Sequence, residues 1–223
     1  AAKYIPTGYG YEYSGMTREE QSTSGSAKAI IFVLCFVFIY LLLSAQYESY
    51  LLPLAVILSI PFGLAGSFIF IQLLGAASNI LPFLGAASND IYMQIALIML
   101  IGLLAKNAIL ITEFALDRRK MGMSITWAAV LGAGARLRPI MMTSLAMIVG
   151  LLPLLFAMGA GANGNRSLGA TAVGGMLIGV ICQIFVVPSL FVIFQYLQEK
   201  IRPMVWEDID NTDAKEDIEQ YSK

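Results

Sequence analysis

Residues 97–120 read LIMLIGLLAKNAILITEFALDRRK, and this stretch decides what kind of protein the sequence encodes. It stays mostly apolar for about 20 residues, the length that an α-helix needs to cross the hydrocarbon core of a bilayer. Lipid offers no hydrogen-bond partners, so a segment that crosses it must satisfy its own backbone as a helix. We therefore predict a membrane-spanning helix with one lysine near its middle.

The whole chain has the composition of an integral membrane protein. Of its 223 residues, 58% are hydrophobic and only 13% are charged, and the mean hydropathy is +0.74. The net charge of −1 excludes a nucleic-acid-binding protein, because phosphates need neutralising lysines and arginines. There is no histidine, and Cys35 and Cys182 lie in separate apolar runs. The sequence therefore predicts no histidine metal site, catalytic triad or disulfide framework.

Five stretches are long and apolar enough to span a bilayer, and they predict an all-α transmembrane bundle. Pro61, Pro153 and Pro188 lie inside them and predict kinks, where neighbouring helices must cover the freed carbonyls. The predicted spans are residues 29–45, 51–74, 91–116, 139–158 and 168–197.

The distribution of basic residues predicts the orientation of the spans. Lysines and arginines concentrate in the loop between the third and fourth spans and after the fifth, whereas the loops at 75–90 and 159–167 contain only Arg166. We therefore predict a cytoplasmic C-terminus and an N-terminus outside the cytoplasm. Residues 121–135 lie between two basic groups and predict a cytoplasmic interfacial helix.

The bundle, at residues 26–200, is expected to lie between two polar regions. Residues 1–25 predict one strand and a short helix that a capping box of Thr17 and Glu20 opens. A lone strand is unstable, so we expect this α/β remnant to be the end of a larger extracytoplasmic domain, with the chain one piece of a longer protein. Residues 201–223 are acidic and predict a solvated cytoplasmic tail. The hexapeptide LGAASN occurs at 74–79 and 84–89, and we expect it only to lengthen an exterior loop.

Lys106 is the most informative residue, because an ammonium near the middle of a span costs about 2.5–3.5 kcal/mol to insert. We expect it to face the bundle interior. Glu113 lies two turns along the helix, roughly 10 Å away, which is too far for a direct ion pair. Lys106 therefore needs an acidic partner from a segment that this chain lacks. Two interpretations remain open: a structural interhelical hydrogen bond, or a proton or ion relay that Asn107 supports.

Arg136, at the opening of the fourth span, and Thr143, inside it, are two further candidates. They lie seven residues apart and therefore share a helical face. Arg136 could be an interfacial anchor, and Thr143 could bond only to its own helix. Alternatively, both could line a polar path with Lys106 from the cytoplasm to the midplane of the membrane.

Several motifs together resemble the C-terminal end of resistance-nodulation-division (RND) transporters, nearest to the hydrophobe/amphiphile drug-efflux branch. The resemblance covers nearly all of residues 1–200 and leaves out the acidic tail and the duplicated LGAASN. The matching motifs are IPTGYGYEYSGMT (5–17), AQYESYLLPLAVILSIPFGLAG (45–66), GLLAKNAILITEFALD (102–117), RLRPIMMTSLAMIVGLLPL (136–154), GAGANGNRSLGATAVGGM (159–176) and FVVPSLFV (185–192).

The resemblance implies a secondary active transporter and not an enzyme, with no bound cofactor. Such transporters have twelve spans, of which the spans here would be the last five, and residues 1–25 would end a periplasmic porter subdomain. They are homotrimers of the bacterial inner membrane that export drugs or amphiphiles by proton antiport, with a periplasmic adaptor and an outer-membrane channel. The proton relay falls on Lys106, Arg136 and Thr143, and its aspartates belong to a helix absent here. A lipid or metal exporter of the same superfamily and a non-transporting membrane scaffold remain alternatives.

Overall fold

The computed structural model describes residue 18 and residues 25–47, 49–78, 90–159 and 161–201, and it is helical throughout its long segments. Five helices are long and apolar enough to cross a membrane, which confirms the prediction of an all-α bundle of five spans. The predicted N-terminal strand, the Thr17–Glu20 capping box and the acidic tail lie outside the described residues. In chain order the helices are α1 (Gly25–Tyr47), α2 (Leu52–Ser78), α3 (Ile91–Lys120), α4 (Ile125–Leu155) and α5 (Ala162–Ile201).

The interfacial helix that the sequence predicted near 121–135 is not a separate element. α4 begins at Ile125 and continues through Pro139 and Pro153 to Leu155. Residues 125–135 are therefore the first turns of the fourth long helix. The prediction failed because it treated Pro139 as a helix start, whereas long membrane helices tolerate internal proline when neighbouring groups satisfy the freed carbonyl.

The connection between α3 and α4 is a tight turn at residues 121–124. Gly122 has a φ of 103°, a left-handed conformation that only glycine adopts without strain. Its amide donates to the Arg119 carbonyl at 3.1 Å, and the Met123 amide donates to the Arg118 carbonyl at 3.3 Å, which closes the end of α3. The arginines expected in a loop here are therefore helical: Arg118 and Arg119 end α3, and Arg136 lies in α4.

α5 is packed against α2, α3 and α4, and small residues allow the closest of these contacts. A Cβ added at Gly179 would lie 2.9 Å from the Gly63 Cα of α2, which no real side chain tolerates. Leu104 of α3 fills the adjoining core together with Met176 and Val180 of α5. By contrast, the outer face of α1 is exposed along most of its length. These close contacts meet at the junction of α2, α3 and α5.

Candidate functional site

Lys106 is exposed on the surface of this five-helix assembly, so the expectation that it faces the interior of the bundle is wrong for these five helices. The buried sides of α3 contact α2, α4 and α5, and Lys106 lies on the side that none of them covers. The exposed positions of α3 are spaced three, four or seven residues apart and so form one stripe along the helix. This open face consists of Ile95, Met99, Gly102, Lys106 and Glu113.

The open face has room for a second helix beside Lys106. A Cβ added at Gly102, about one turn before Lys106, would meet nothing within 4 Å. Among the described residues, no carboxylate lies within salt-bridge distance of Lys106, and Glu113 makes no ion pair with it. A lysine with no partner at mid-membrane depth is costly, so a second helix on this face that carries an acid would remove the cost.

Asn107 connects α3 to α4 directly beside Lys106. Its side chain is buried, and Nδ2 donates a hydrogen bond of 3.3 Å to the Ser144 hydroxyl. Thr143, the neighbour of Ser144, is exposed, and its hydroxyl lies 3.1 Å from the Pro139 carbonyl and 3.2 Å from the Ile140 carbonyl of its own helix. Lys106 and Thr143 therefore lie at one level of the bundle, each next to a member of the bonded pair, without bonding to each other.

Arg136 packs between α4 and α3 and does not extend freely into solvent. Its Cζ atom lies 3.4 Å from the centroid of the Phe114 ring, a cation–π contact. Its Nε is buried and has no hydrogen-bond partner. Arg118 is also near this ring, with its Cζ 5.8 Å from the centroid. Sequence reasoning missed Phe114, because an aromatic residue in an apolar run carries no signal of such a contact.

The backbone of α3 accepts two further hydrogen bonds near Lys106 that the sequence did not predict. The Tyr47 hydroxyl of α1 donates to the Ile109 carbonyl at 3.3 Å. Gln183 of α5 donates from Nε2 to the Leu104 carbonyl at 2.9 Å. A glutamine inside an apolar run was a signal that could have been noticed, but its partner, a backbone carbonyl, has no signature in sequence.

An ion pair joins the ends of α3 and α5 at the side predicted to be cytoplasmic. The Arg119 guanidinium donates two hydrogen bonds of 2.7 and 2.6 Å to the Glu199 carboxylate. A third, of 2.6 Å, reaches the Met123 carbonyl in the turn that follows α3. The basic residues at the end of α3, from which the membrane orientation was predicted, therefore also stabilise the fold: Arg119 is in an ion pair, and Arg118 is 1% exposed.

These features define a multi-pass membrane protein whose third helix presents an ionisable, open face. The chain belongs to the AcrB/AcrD/AcrF family, which it matches over residues 1–195, and this confirms the resemblance to RND efflux transporters.

Curated relatives named as efflux or multidrug resistance proteins match most of the chain. A toluene efflux pump membrane transporter of Pseudomonas putida, TtgB, is 43% identical over 188 residues, which are 84% of this chain and 17% of the relative. The multidrug resistance protein MdtF of Escherichia coli (strain K12) is 39% identical over 194 residues, which are 86% and 18% of the two chains. The multidrug export protein AcrF of the same strain is 38% identical over 195 residues, which are 87% and 18%.

The fold also matches a solved structure. The crystal structure of a heavy metal efflux pump superposes with a TM-score of 0.67 at 22% identity, over 87% of this chain and 18% of that one. At this identity the likeness concerns the fold alone. The chain thus spans less than a fifth of the length of the proteins it matches, with 17–18% of the curated relatives covered.

Proposed function

We propose that this chain is the C-terminal membrane portion of a proton-driven efflux transporter that exports drugs, solvents or other amphiphilic compounds. The observation that carries the proposal is the position of Lys106, which lies at mid-helix on the open face of α3 with no acid of the described chain within reach. Family membership and the multidrug and solvent pumps among the relatives support the substrate class.

In the proposed mechanism, Lys106 pairs with deprotonated aspartates on a helix that packs against the open face. Protonation of the aspartates removes their charge and weakens the pair. Lys106 then turns towards other partners such as the Thr143 hydroxyl, which lies at the same level of the bundle, and α3 shifts against α4. A two-state packing that protonation biases is the physical requirement for coupling proton entry to export.

Arg136 and Asn107 have separate roles in this proposal. Arg136 guards the cytoplasmic end of the proton path, where the Phe114 ring holds its guanidinium beside α3. Asn107 supports the relay, because its bond to Ser144 holds α3 and α4 together one residue from Lys106.

We further propose the wider assembly that the family resemblance implies. The remaining spans, which supply the aspartates, complete a twelve-span subunit. Three subunits form a homotrimer in the bacterial inner membrane, with the C-terminus in the cytoplasm and the N-terminus in the periplasm. A periplasmic adaptor and an outer-membrane channel carry the exported compound onward.

The experiment is to replace Lys106 by Met in the complete transporter and to measure drug susceptibility of cells at equal membrane abundance. We expect Lys106→Met to abolish resistance to a panel of lipophilic cations and organic solvents, while trimer assembly survives because Met retains most of the volume of the stem. Lys200→Met is the matched control, since Lys200 is exposed in the last turn of α5. Wild-type resistance in Lys106→Met cells would refute the relay and favour the scaffold alternative.

A further inference from the structure

Gln183 is a buried amide in the middle of the most apolar part of α5. Its residue is 1% exposed, and its neighbours in sequence are Cys182 and Ile184. Membrane interiors make such a group costly unless it is bonded, so its contacts need a physical explanation. The proposed relay does not use it.

The hydrogen bonds of Gln183 determine the orientation of its amide. Nε2 donates to the Leu104 carbonyl at 2.9 Å and to the Ser59 hydroxyl oxygen at 3.4 Å. The Leu104 carbonyl can only accept, and the Ser59 hydroxyl already donates to the Val56 carbonyl at 2.6 Å. The nitrogen must therefore face both groups, because a flipped amide would oppose two acceptors. Oε1 is left buried without a hydrogen-bond partner.

The bond to Leu104 attaches to the backbone of α3 close to Lys106. Leu104 precedes Lys106 by two residues, which is a rotation of about 200° around a helix. Leu104 therefore lies on the side of α3 that faces the core, whereas Lys106 lies on the opposite side. A bond to a backbone carbonyl fixes both the rotation and the height of a helix, whatever side chains that helix carries. Tyr47 of α1 makes a similar bond to the Ile109 carbonyl, and a bond between the Asn107 and Ser144 side chains links α3 to α4.

We propose that Gln183 is a positioning residue for Lys106: by binding the Leu104 carbonyl it holds α3 at the rotation and height that bring the Lys106 ammonium to its acidic partner. This inference rests on the proposed function and extends it to a residue on a different helix. The unsatisfied Oε1 supports it, because a residue present only for stability would be better replaced by an apolar side chain of similar length.

The surroundings of Gln183 contain no competing charge that could explain a change in pH dependence. α2 carries no charged residue, and α5 carries none between Arg166 and Glu199. The charged residues of α4 are Arg136 and Arg138, and the Arg136 guanidinium lies against the Phe114 ring of α3. On α3, Lys106 and Glu113 lie on the open face, away from the buried side where Gln183 binds. A change at Gln183 therefore acts on the relay through the placement of α3.

The experiment compares Gln183→Met with the wild type in the complete transporter reconstituted into proteoliposomes. Efflux of the panel compound that the wild type exports best is measured from pH 5 to 9, together with the melting temperature. When Lys106 is displaced, its positive charge lowers the pKa of the partner carboxylate less, so this carboxylate is protonated up to a higher pH. We therefore expect the pH at which efflux falls to half of its maximum to rise by about 0.5–1 unit. The melting temperature should stay equal or rise, because the buried, unpaired oxygen is gone.

Two matched controls isolate the bond to Leu104. Ser59→Ala removes the longer of the two Gln183 contacts, together with the bond of the Ser59 hydroxyl to Val56 in its own helix, and it should leave the pH profile unchanged. Thr171→Val removes a buried hydroxyl of the same helix that bonds only to the Ser167 carbonyl at 2.6 Å, and it should also have no effect. If Gln183→Met does not assemble, Gln183→Asn, which is too short to reach Leu104, is expected to produce the same shift.

The outcomes separate this inference from the proposed function. An unchanged pH profile in Gln183→Met, or an equal shift in Ser59→Ala, would overturn the positioning role while Lys106→Met still abolished efflux. Loss of assembled protein in both Gln183→Met and Gln183→Asn would assign Gln183 a structural role and overturn it too. If the Lys106→Met variant exported normally, the proposed function would be refuted, and the positioning role of Gln183 would be refuted with it.

Discussion

At the scale of single residues, the polar side chains of this bundle fall into two groups. Hydroxyls such as those of Thr112 and Thr171 bond to carbonyls one turn back in their own helix, which satisfies them without linking helices. The amide side chains are longer and form hydrogen bonds to a neighbouring helix: Asn107 bonds to Ser144, and Gln183 bonds to the Leu104 carbonyl. Around Lys106, two amide side chains and the Tyr47 hydroxyl therefore make hydrogen bonds between helices.

We predict that Asn107 and Ser144 are energetically coupled. Asn107→Ala leaves the Ser144 hydroxyl without this donor, and Ser144→Ala leaves the buried Asn107 amide without its acceptor. In a double-mutant cycle we expect a coupling of about 0.6 kcal/mol, the average for side-chain hydrogen bonds between membrane helices. Reversible unfolding in mixed detergent micelles measures it. Additive single effects would show that the 3.3 Å contact contributes nothing.

Sequence reasoning identified the depth of Lys106 and the absence of a nearby acid, because both follow from counting residues along a helix. It did not predict that Lys106 is exposed in this chain, since orientation depends on which helices pack beside α3. The hydrogen-bond partner of Gln183 could not be predicted either, because every residue has a backbone carbonyl and the sequence does not show which one accepts the bond. The relay roles of Lys106, Arg136 and Thr143 remain predictions.

At the scale of the helices, close packing depends on a few glycines. Gly63 and Gly179 let α2 and α5 approach until their backbones are nearly in contact. The number and order of the helices could be predicted from apolar length alone. Their ends could not be predicted. α4 begins fourteen residues before the predicted 139, because the helix continues through Pro139. α5 begins six residues before the predicted 168, because its polar first residues are also helical.

We predict that Gly179→Ala destabilises the bundle although alanine favours helices. The new Cβ would lie 2.9 Å from the Gly63 Cα, so the two backbones must move apart. We expect a cost of about 1–3 kcal/mol from this overpacking. Gly134→Ala is the matched control, because its Cβ would meet nothing within 4 Å. Melting temperatures in detergent should fall for Gly179→Ala only, and an equal result for both variants would contradict the close crossing.

At the scale of the whole molecule, five helices leave one side of α3 uncovered. Its stripe from Ile95 to Glu113 combines apolar residues, a glycine and two charges, which suits a helix that carries both an apolar contact surface and an acid. The chain covers 17–18% of the curated relatives it matches, so the proposed remainder of the transporter supplies that helix.

Gly102 tests whether a helix covers this face. In this chain a Cβ added at Gly102 would meet nothing within 4 Å, so Gly102→Leu should not disturb the packing of α1 to α5. In the complete transporter we expect efflux to decrease in the order wild type, Gly102→Ala, Gly102→Leu, because a larger side chain pushes the facing helix away from Lys106. Susceptibility assays at equal abundance measure the series. Full resistance with Leu would show that no helix packs closely there.

The central claim is that Lys106 faces an acid from the rest of the transporter, and the most direct test is the distance between them. A cryo-electron microscopy structure of the complete transporter in lipid would measure it from the Lys106 Nζ to the nearest carboxylate oxygen. We predict about 4 Å or less, the limit for an ion pair, in at least one conformation, with the acid on a helix packed against the Ile95–Glu113 stripe. Lipid chains against Lys106 in every conformation would contradict the account.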